Sequence, residues 1–151
     1  MPSKATGYQA LLCKTELDAF EDQRAMIAAS RTCPIIDNDV GFAAFVQRVA
    51  ESIGLHVQIL TDPMQLEQVL AIGAPDVITL DMDMPGRNGI EVLRVLSAWR
   101  LEERVIMISG TPPTHAAGDR AKVAGFEVAA VLRKPVRKAE VESALVSALD
   151  V

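Results

Sequence analysis

Cysteine is nearly absent from this chain. Cys13 and Cys33 are the only thiols in 151 residues, and two isolated thiols exclude both a disulfide framework and a cysteine-built metal cluster. Aromatic residues are scarce too, 4% of a chain that is 50% hydrophobic. The core must therefore be aliphatic, which suits helices packed on a sheet and argues against disorder. Positive charge is short: 15 Lys and Arg stand against 20 Asp and Glu, a net charge of −5. With no basic stripe, the chain lacks the electrostatic footprint of a nucleic-acid binder. No apolar run approaches the ~20 residues of a membrane span. The N-terminus is too polar for a signal peptide. These absences describe a soluble protein of a reducing, cytoplasmic compartment, and the length suits one domain.

What is present is an alternation. From residue 33, short β-branched runs take turns with longer helical patterns. Strands are expected at Cys33 to Ile36, His56 to Leu60, Asp76 to Leu80, Arg104 to Ser109, and Glu127 to Leu132. The first, third and fourth are nearly continuous apolar runs, as in a parallel sheet covered by helices on both faces.

The intervening segments read as helices. Val40, Phe42, Ala43, Phe45, Val46, Val49, Ala50 and Ile53 mark the first, stopped by Gly54. Asp62-Pro63 opens the second, Met64, Leu66, Val69, Leu70 and Ile72 line it, and Gly73 closes it. Asn88 is an expected N-cap for the third, with Ile90, Leu93, Leu96 and Trp99 toward the core. The fourth, about residues 113 to 124, is Ala-rich and weakly anchored. The fifth, from Arg137, should bury Val141, Leu145, Val146 and Leu149. Five strands alternating with five helices predict a doubly wound parallel α/β sheet. Residues 1 to 32 stand outside this alternation, as a tail or as an extra helix that docks on the domain or on a second copy.

Ligands of open parallel sheets bind beyond the carboxyl ends of the strands. Asp37-Asn38-Asp39 follows the first strand and Asp81-Met82-Asp83 the third. Ser109-Gly110-Thr111 follows the fourth and Lys134-Pro135 the fifth. If those strands are neighbours, carboxylates, a hydroxyl and one ammonium converge. Several carboxylates cannot crowd together uncompensated. A divalent cation plus the lysine would balance them, and oxygen-only ligands favour Mg²⁺. A carboxylate set among a metal ion, a hydroxyl and a lysine is arranged to take a phosphoryl group, because that chemistry is mostly positioning and charge neutralisation.

Those strand-end motifs, Ile35-Ile36-Asp37-Asn38-Asp39, Leu80-Asp81-Met82-Asp83-Met84-Pro85-Gly86, Ile108-Ser109-Gly110 and Arg133-Lys134-Pro135, resemble in order those of the receiver domain of bacterial two-component response regulators. The resemblance covers the chain except its N-terminal extension, so the domains are expected at 1–32 and 33–151. It implies a flavodoxin-like sheet of order 2-1-3-4-5. It implies that Asp81 accepts phosphate from a sensor histidine kinase or a histidine phosphotransfer protein. It implies Mg²⁺ on Asp37 and Asp81 with the backbone carbonyl of Asp83, and Ser109 and Lys134 on the phosphoryl oxygens. It implies a cis Lys134-Pro135 bond. The protein would be a signalling module rather than an enzyme, acting on a downstream protein target.

Two positions depart from the family pattern. The second acid after the first strand is Asn38, so a metal-facing charge is missing and Asp83 or Asp39 would have to compensate. The aromatic switch position is Val131, which is short and stiff about its first torsion. Any response to phosphate would then centre on the Ser109 loop, the fourth helix and the fifth strand. The face of fourth helix, fifth strand and fifth helix is the expected partner or homodimer surface, alongside the N-terminal extension. No output domain follows the last helix, so the expected output is protein contact. Two other readings stand beside this one. "VITLDMDMPG" also resembles haloacid-dehalogenase-type phosphatases, with Asp81 as nucleophile and Asp83 as acid/base. A pseudo-receiver would bind a partner and never carry phosphate. His56 and His115 read as structural or solvated residues.

Overall fold

In the sequence, aliphatic runs end on polar strand ends; in space, they lie side by side. The computed structural model describes residues 31–62, 64–84, 89–110 and 125–149. Of the two units into which the chain divides, Met1–Arg31 and Thr32–Val151, the second holds everything below. The N-terminal extension, the helix expected near 113 to 124, Pro63, Pro85, Gly86 and the cap residue Asn88 lie outside the described residues.

The order is β1 (Thr32–Ile36), α1 (Val40–Ser52), β2 (His56–Leu60), α2 (Gln65–Ile72), β3 (Ile78–Asp81), α3 (Gly89–Ala98), a 3-10 turn (Glu102–Arg104), β4 (Val105–Ser109), β5 (Ala130–Arg133) and α4 (Lys138–Leu149). The α4 label thus belongs to the C-terminal helix. All strand pairs are parallel and the sheet order is β2-β1-β3-β4-β5. This is the expected doubly wound sheet.

Side chains alternate across a strand, so each run feeds two cores. Ile36, Ile78, Leu80 and Met107 pack with Leu66, Leu70, Leu93, Leu96 and Phe126. Their neighbours Cys33, Ile35, Val77, Ile106 and Ile108 pack with Val46, Val49, Val141 and Leu145 on the opposite face. Cys33 is fully buried there, and burial pushes its thiol up to about 12.

Helix ends explain where the sequence reading slips. α1 closes at Gly54, whose φ of 89° lets its N–H reach Glu51 and the Leu55 N–H reach Ala50. This double bond is a Schellman ending, and Leu55 is buried under it. α3 ends the same way without glycine. Arg100 takes the left-handed conformation at φ 59°, its N–H bonds Ser97, and the Leu101 N–H bonds Leu96. Leu101 therefore enters the core, and Trp99, expected there, is 48% exposed. In α4 the buried stripe is Val141, Ala144, Leu145 and Ala148, a regular i, i+3, i+4, i+7 face. Val146 falls off that face and is exposed. Val40, Met64 and Ile72 are likewise exposed rather than packed.

β1 and β4 shift by one residue from expectation, and two strands differ by more. β3 starts at Ile78, because the preceding residues tie the bottom of β1. The Asp76 carboxylate accepts the Thr32 N–H at 2.8 Å, and the N–H groups of Asp76 and Val77 both donate to the Thr32 carbonyl. At its other end β3 runs on to include Asp81. β5 begins at Ala130 rather than Glu127. Gly125 turns the chain at φ 87°, and Phe126 then packs into the core before the strand starts. β5 is an edge strand whose residues alternate between half-buried and exposed. Among the described residues no helix is long and apolar enough to cross a membrane.

Candidate functional site

The carboxyl ends of β1 and β3 lie side by side, with Ile36 level with Leu80. Each strand runs directly into an acidic turn. The Asp37 N–H donates to Leu60 and the Met82 N–H to Ile108, so the backbone stays tied to the sheet just past each strand. The two turns repeat one local design. Asp37 Oδ1 accepts the Asp39 N–H at 2.8 Å, and Asp81 Oδ1 accepts the Asp83 N–H at 3.0 Å. Such aspartate turns are a local preference of the residue. Fixing Oδ1 in each case leaves Oδ2 to face a shared space.

That space holds the Lys134 ammonium. Its Nζ is 3.6 Å from Asp37 Oδ2 and 3.8 Å from Asp81 Oδ2. Lys134 arrives from the end of β5, where its N–H donates to the Ser109 carbonyl at 2.8 Å. The Lys134–Pro135 peptide is cis. The ammonium also stands 4.3 Å from the centroid of the Phe42 ring. Phe42 is a site residue that sequence reading took only as a helix marker. Its helical spacing looks like any core position, and no local signal shows which cation will meet its face.

The remaining strand-end residues are placed as follows. Asp39 caps α1, its Oδ1 accepting the Phe42 N–H at 3.2 Å. Asp83 is exposed, and its Oδ2 accepts the Ser109 hydroxyl at 3.0 Å and the Gly110 N–H at 2.8 Å. Asn38 is exposed. Asp39 and Asp83 engage these oxygens with backbone and hydroxyl donors nearby. Val131 lies in β5 level with Met107 and is exposed. His56 opens β2 at the opposite edge of the sheet, and His115 lies outside the described residues.

Asp37 and Asp81 are 3% and 4% exposed, and among the described residues a single lysine stands between them. The Asp37 carboxyl is pushed up from 3.8 to about 6, chiefly by burial and also by the neighbouring Asp81 charge. The Asp39 N–H and Lys134 oppose both effects. The site thus carries more negative charge than its lysine neutralises. Among the described residues no three His, Cys, Asp or Glu side chains gather as a metal cage. Mg²⁺ does not require one, since it commonly binds through one or two carboxylates and keeps several waters. Two buried, cation-poor carboxylates fit that ion.

The Asp37 shift fixes the sign of a pH effect. Its pKa is higher folded than unfolded, so its contribution to stability is complete below about pH 4 and is lost as pH rises through about 6. In the absence of divalent metal, wild type should lose on the order of 2 kcal/mol relative to Asp37→Asn between pH 4 and 7. Urea unfolding of both proteins in chelator would measure it. A flat difference across that window would show that Asp37 is not destabilised by ionising.

A family model for the response regulator receiver domain matches residues 34–146. The chain belongs to this receiver family. It is therefore a receiver domain of two-component signalling, and the match replaces the phosphatase alternative. The photosynthetic apparatus regulatory protein RegA of Rhodobacter capsulatus is 23% identical over 84% of this chain and 67% of its own. The protein-glutamate methylesterase/protein-glutamine glutaminase 5 of Myxococcus xanthus is 32% identical over 60% of this chain, which spans only 25% of that protein. Among solved structures, a receiver protein from Burkholderia phymatum is 29% identical with a TM-score of 0.64, covering 80% of this chain and 96% of its own. A CheY-like receiver domain from Methanospirillum hungatei reaches a TM-score of 0.70 at 20% identity, covering 80% and 94%.

Proposed function

We propose that this receiver domain accepts a phosphoryl group on Asp81 from a phosphohistidine of a sensor kinase or phosphotransfer protein, with Mg²⁺ present. The observation that carries the reading is the pair of buried carboxylates whose Oδ2 atoms face one ammonium. The Asp81 Oδ2 attacks phosphorus while the phosphorus–nitrogen bond breaks and its electron pair returns to the imidazole. The product is an acyl phosphate. Lys134, already 3.8 Å from the attacking oxygen, follows the charge as it moves onto the phosphoryl oxygens. The Ser109 hydroxyl donates to another of them. Asp37, Asp81 and the Asp83 carbonyl would hold Mg²⁺, which supplies neutralisation of the charge that builds up in transfer.

The signal would leave through the surface of β5 and α4, with exposed Arg133 and Arg137 at its edge. That surface, or the extension 1 to 32, would meet a downstream protein or a second copy. Acetyl phosphate with Mg²⁺, followed by intact mass, tests the proposal. The expected result is one acid-labile phosphoryl group per chain. An unchanged mass would replace the reading with a pseudo-receiver that binds its partner without phosphate.

A further inference from the structure

The Asp83 carboxylate does something that neither the metal role nor a solvated loop explains. Its Oδ2 takes two donors from the end of β4, the Ser109 hydroxyl at 3.0 Å and the Gly110 N–H at 2.8 Å. Asp81 is level with Ile108 in the sheet, so Ser109 and Gly110 stand one and two residues beyond it. A Cβ on Gly110 would lie 3.8 Å from Asp83 Oδ2 and 4.0 Å from the Lys134 Cβ. The donor pair therefore stands beside the stem of Lys134, and it already holds an anionic oxygen.

We infer that Asp83 is a positioning residue that slows phosphoryl uptake at Asp81, because its own carboxylate occupies the donors an incoming phosphoryl group would use. The inference rests on Asp81 being the phosphoacceptor. A phosphoryl group carries a charge of about −1.5 to −2 and three strong acceptor oxygens. It cannot share Ser109 and Gly110 with a carboxylate that also repels it. Loading Asp81 must turn Asp83 outward, and its exposure leaves room for that. The unloaded state is favoured by whatever those two bonds contribute, since an equilibrium shifts only by differential affinity for its two states. Charge-assisted bonds to backbone and hydroxyl donors are among the stronger ones.

The test compares wild type, Asp83→Asn and Asp83→Ala. Asparagine keeps the shape and an acceptor oxygen but loses the charge; alanine loses both. With acetyl phosphate and saturating Mg²⁺, labelling of Asp81 should quicken in that order, by about tenfold for alanine. Beryllofluoride, which mimics the phosphoryl group without covalent transfer, should bind more tightly in the same order. The Gly110 amide proton should move upfield in unloaded Asp83→Ala, because its bond to the carboxylate is gone. A role as metal ligand predicts the reverse: slower labelling and weaker Mg²⁺ binding by calorimetry. That result, or equal rates in all three proteins, overturns the inference while leaving Asp81 as acceptor. No label on any of the three overturns the acceptor assignment itself.

Discussion

Asp81→Asn is expected to abolish phosphoryl labelling by acetyl phosphate and, in the same protein, to raise stability at pH 7 without metal. The first effect removes the attacking oxygen. The second follows from the charge count. Two carboxylates, each less than 5% exposed, share one lysine. Neutralising Asp81 removes its repulsion of Asp37, which is one of the causes raising that carboxyl. It also removes the cost of burying a second charge, and Lys134 keeps Asp37 as partner. The amide oxygen of asparagine can still accept the Asp83 N–H, so the turn survives. The gain should be on the order of 1 kcal/mol. Chemical denaturation in chelator would read it, and intact mass would read the label. A variant that labels normally would move the phosphate to another residue. A variant that labels not at all but is less stable than wild type would show that Lys134 needs both carboxylates.

Lys134→Met should act in the opposite direction on stability. Methionine keeps an apolar stem over the Phe42 ring, and the backbone N–H still reaches Ser109. What goes is, among the described residues, the one cation within 4 Å of Asp37 Oδ2 and Asp81 Oδ2. Breaking a buried ion pair by removing one partner costs ~3–5 kcal/mol. The Lys134 side chain is 25% exposed, so water recovers part of that, and a loss of about 2 kcal/mol at pH 7 is expected. Asp37 should then titrate higher still. Labelling should fall by roughly 10²-fold or more, the scale on which losing a preorganised charge at the reacting oxygens is felt. Saturating Mg²⁺ should recover much of the stability and little of the rate, because a metal ion would neutralise the carboxylates but would not replace the ammonium's own contact with the phosphoryl oxygens. A labelling rate within threefold of wild type would remove Lys134 from the reaction.

The strands and the acidic strand ends are legible in the sequence because each is a local pattern. A run such as Val105 to Ile108 is apolar at every position, as suits a strand covered on both faces. Aspartate two residues before a free N–H makes its own turn, so Asp37-Asn38-Asp39 and Asp81-Met82-Asp83 prescribe their local geometry. Gly54 announces the end of α1. Arg100 hides the equivalent end of α3, because arginine rarely takes that conformation. The placement of Trp99 and Leu101 was therefore not readable.

The sequence by itself determined which five segments form strands and which acids end them. Only the tertiary structure decided where their Oδ2 atoms point. Asp83 meets Ser109 across 26 residues of chain, Lys134 meets Phe42 and two aspartates from three different elements, and Asp37 is raised to about 6 by burial. A turn preference acts over two or three residues, whereas parallel crossovers bring together groups tens of residues apart. Desolvation depends on what covers a side chain, and that is settled only when the sheet and its helices have packed.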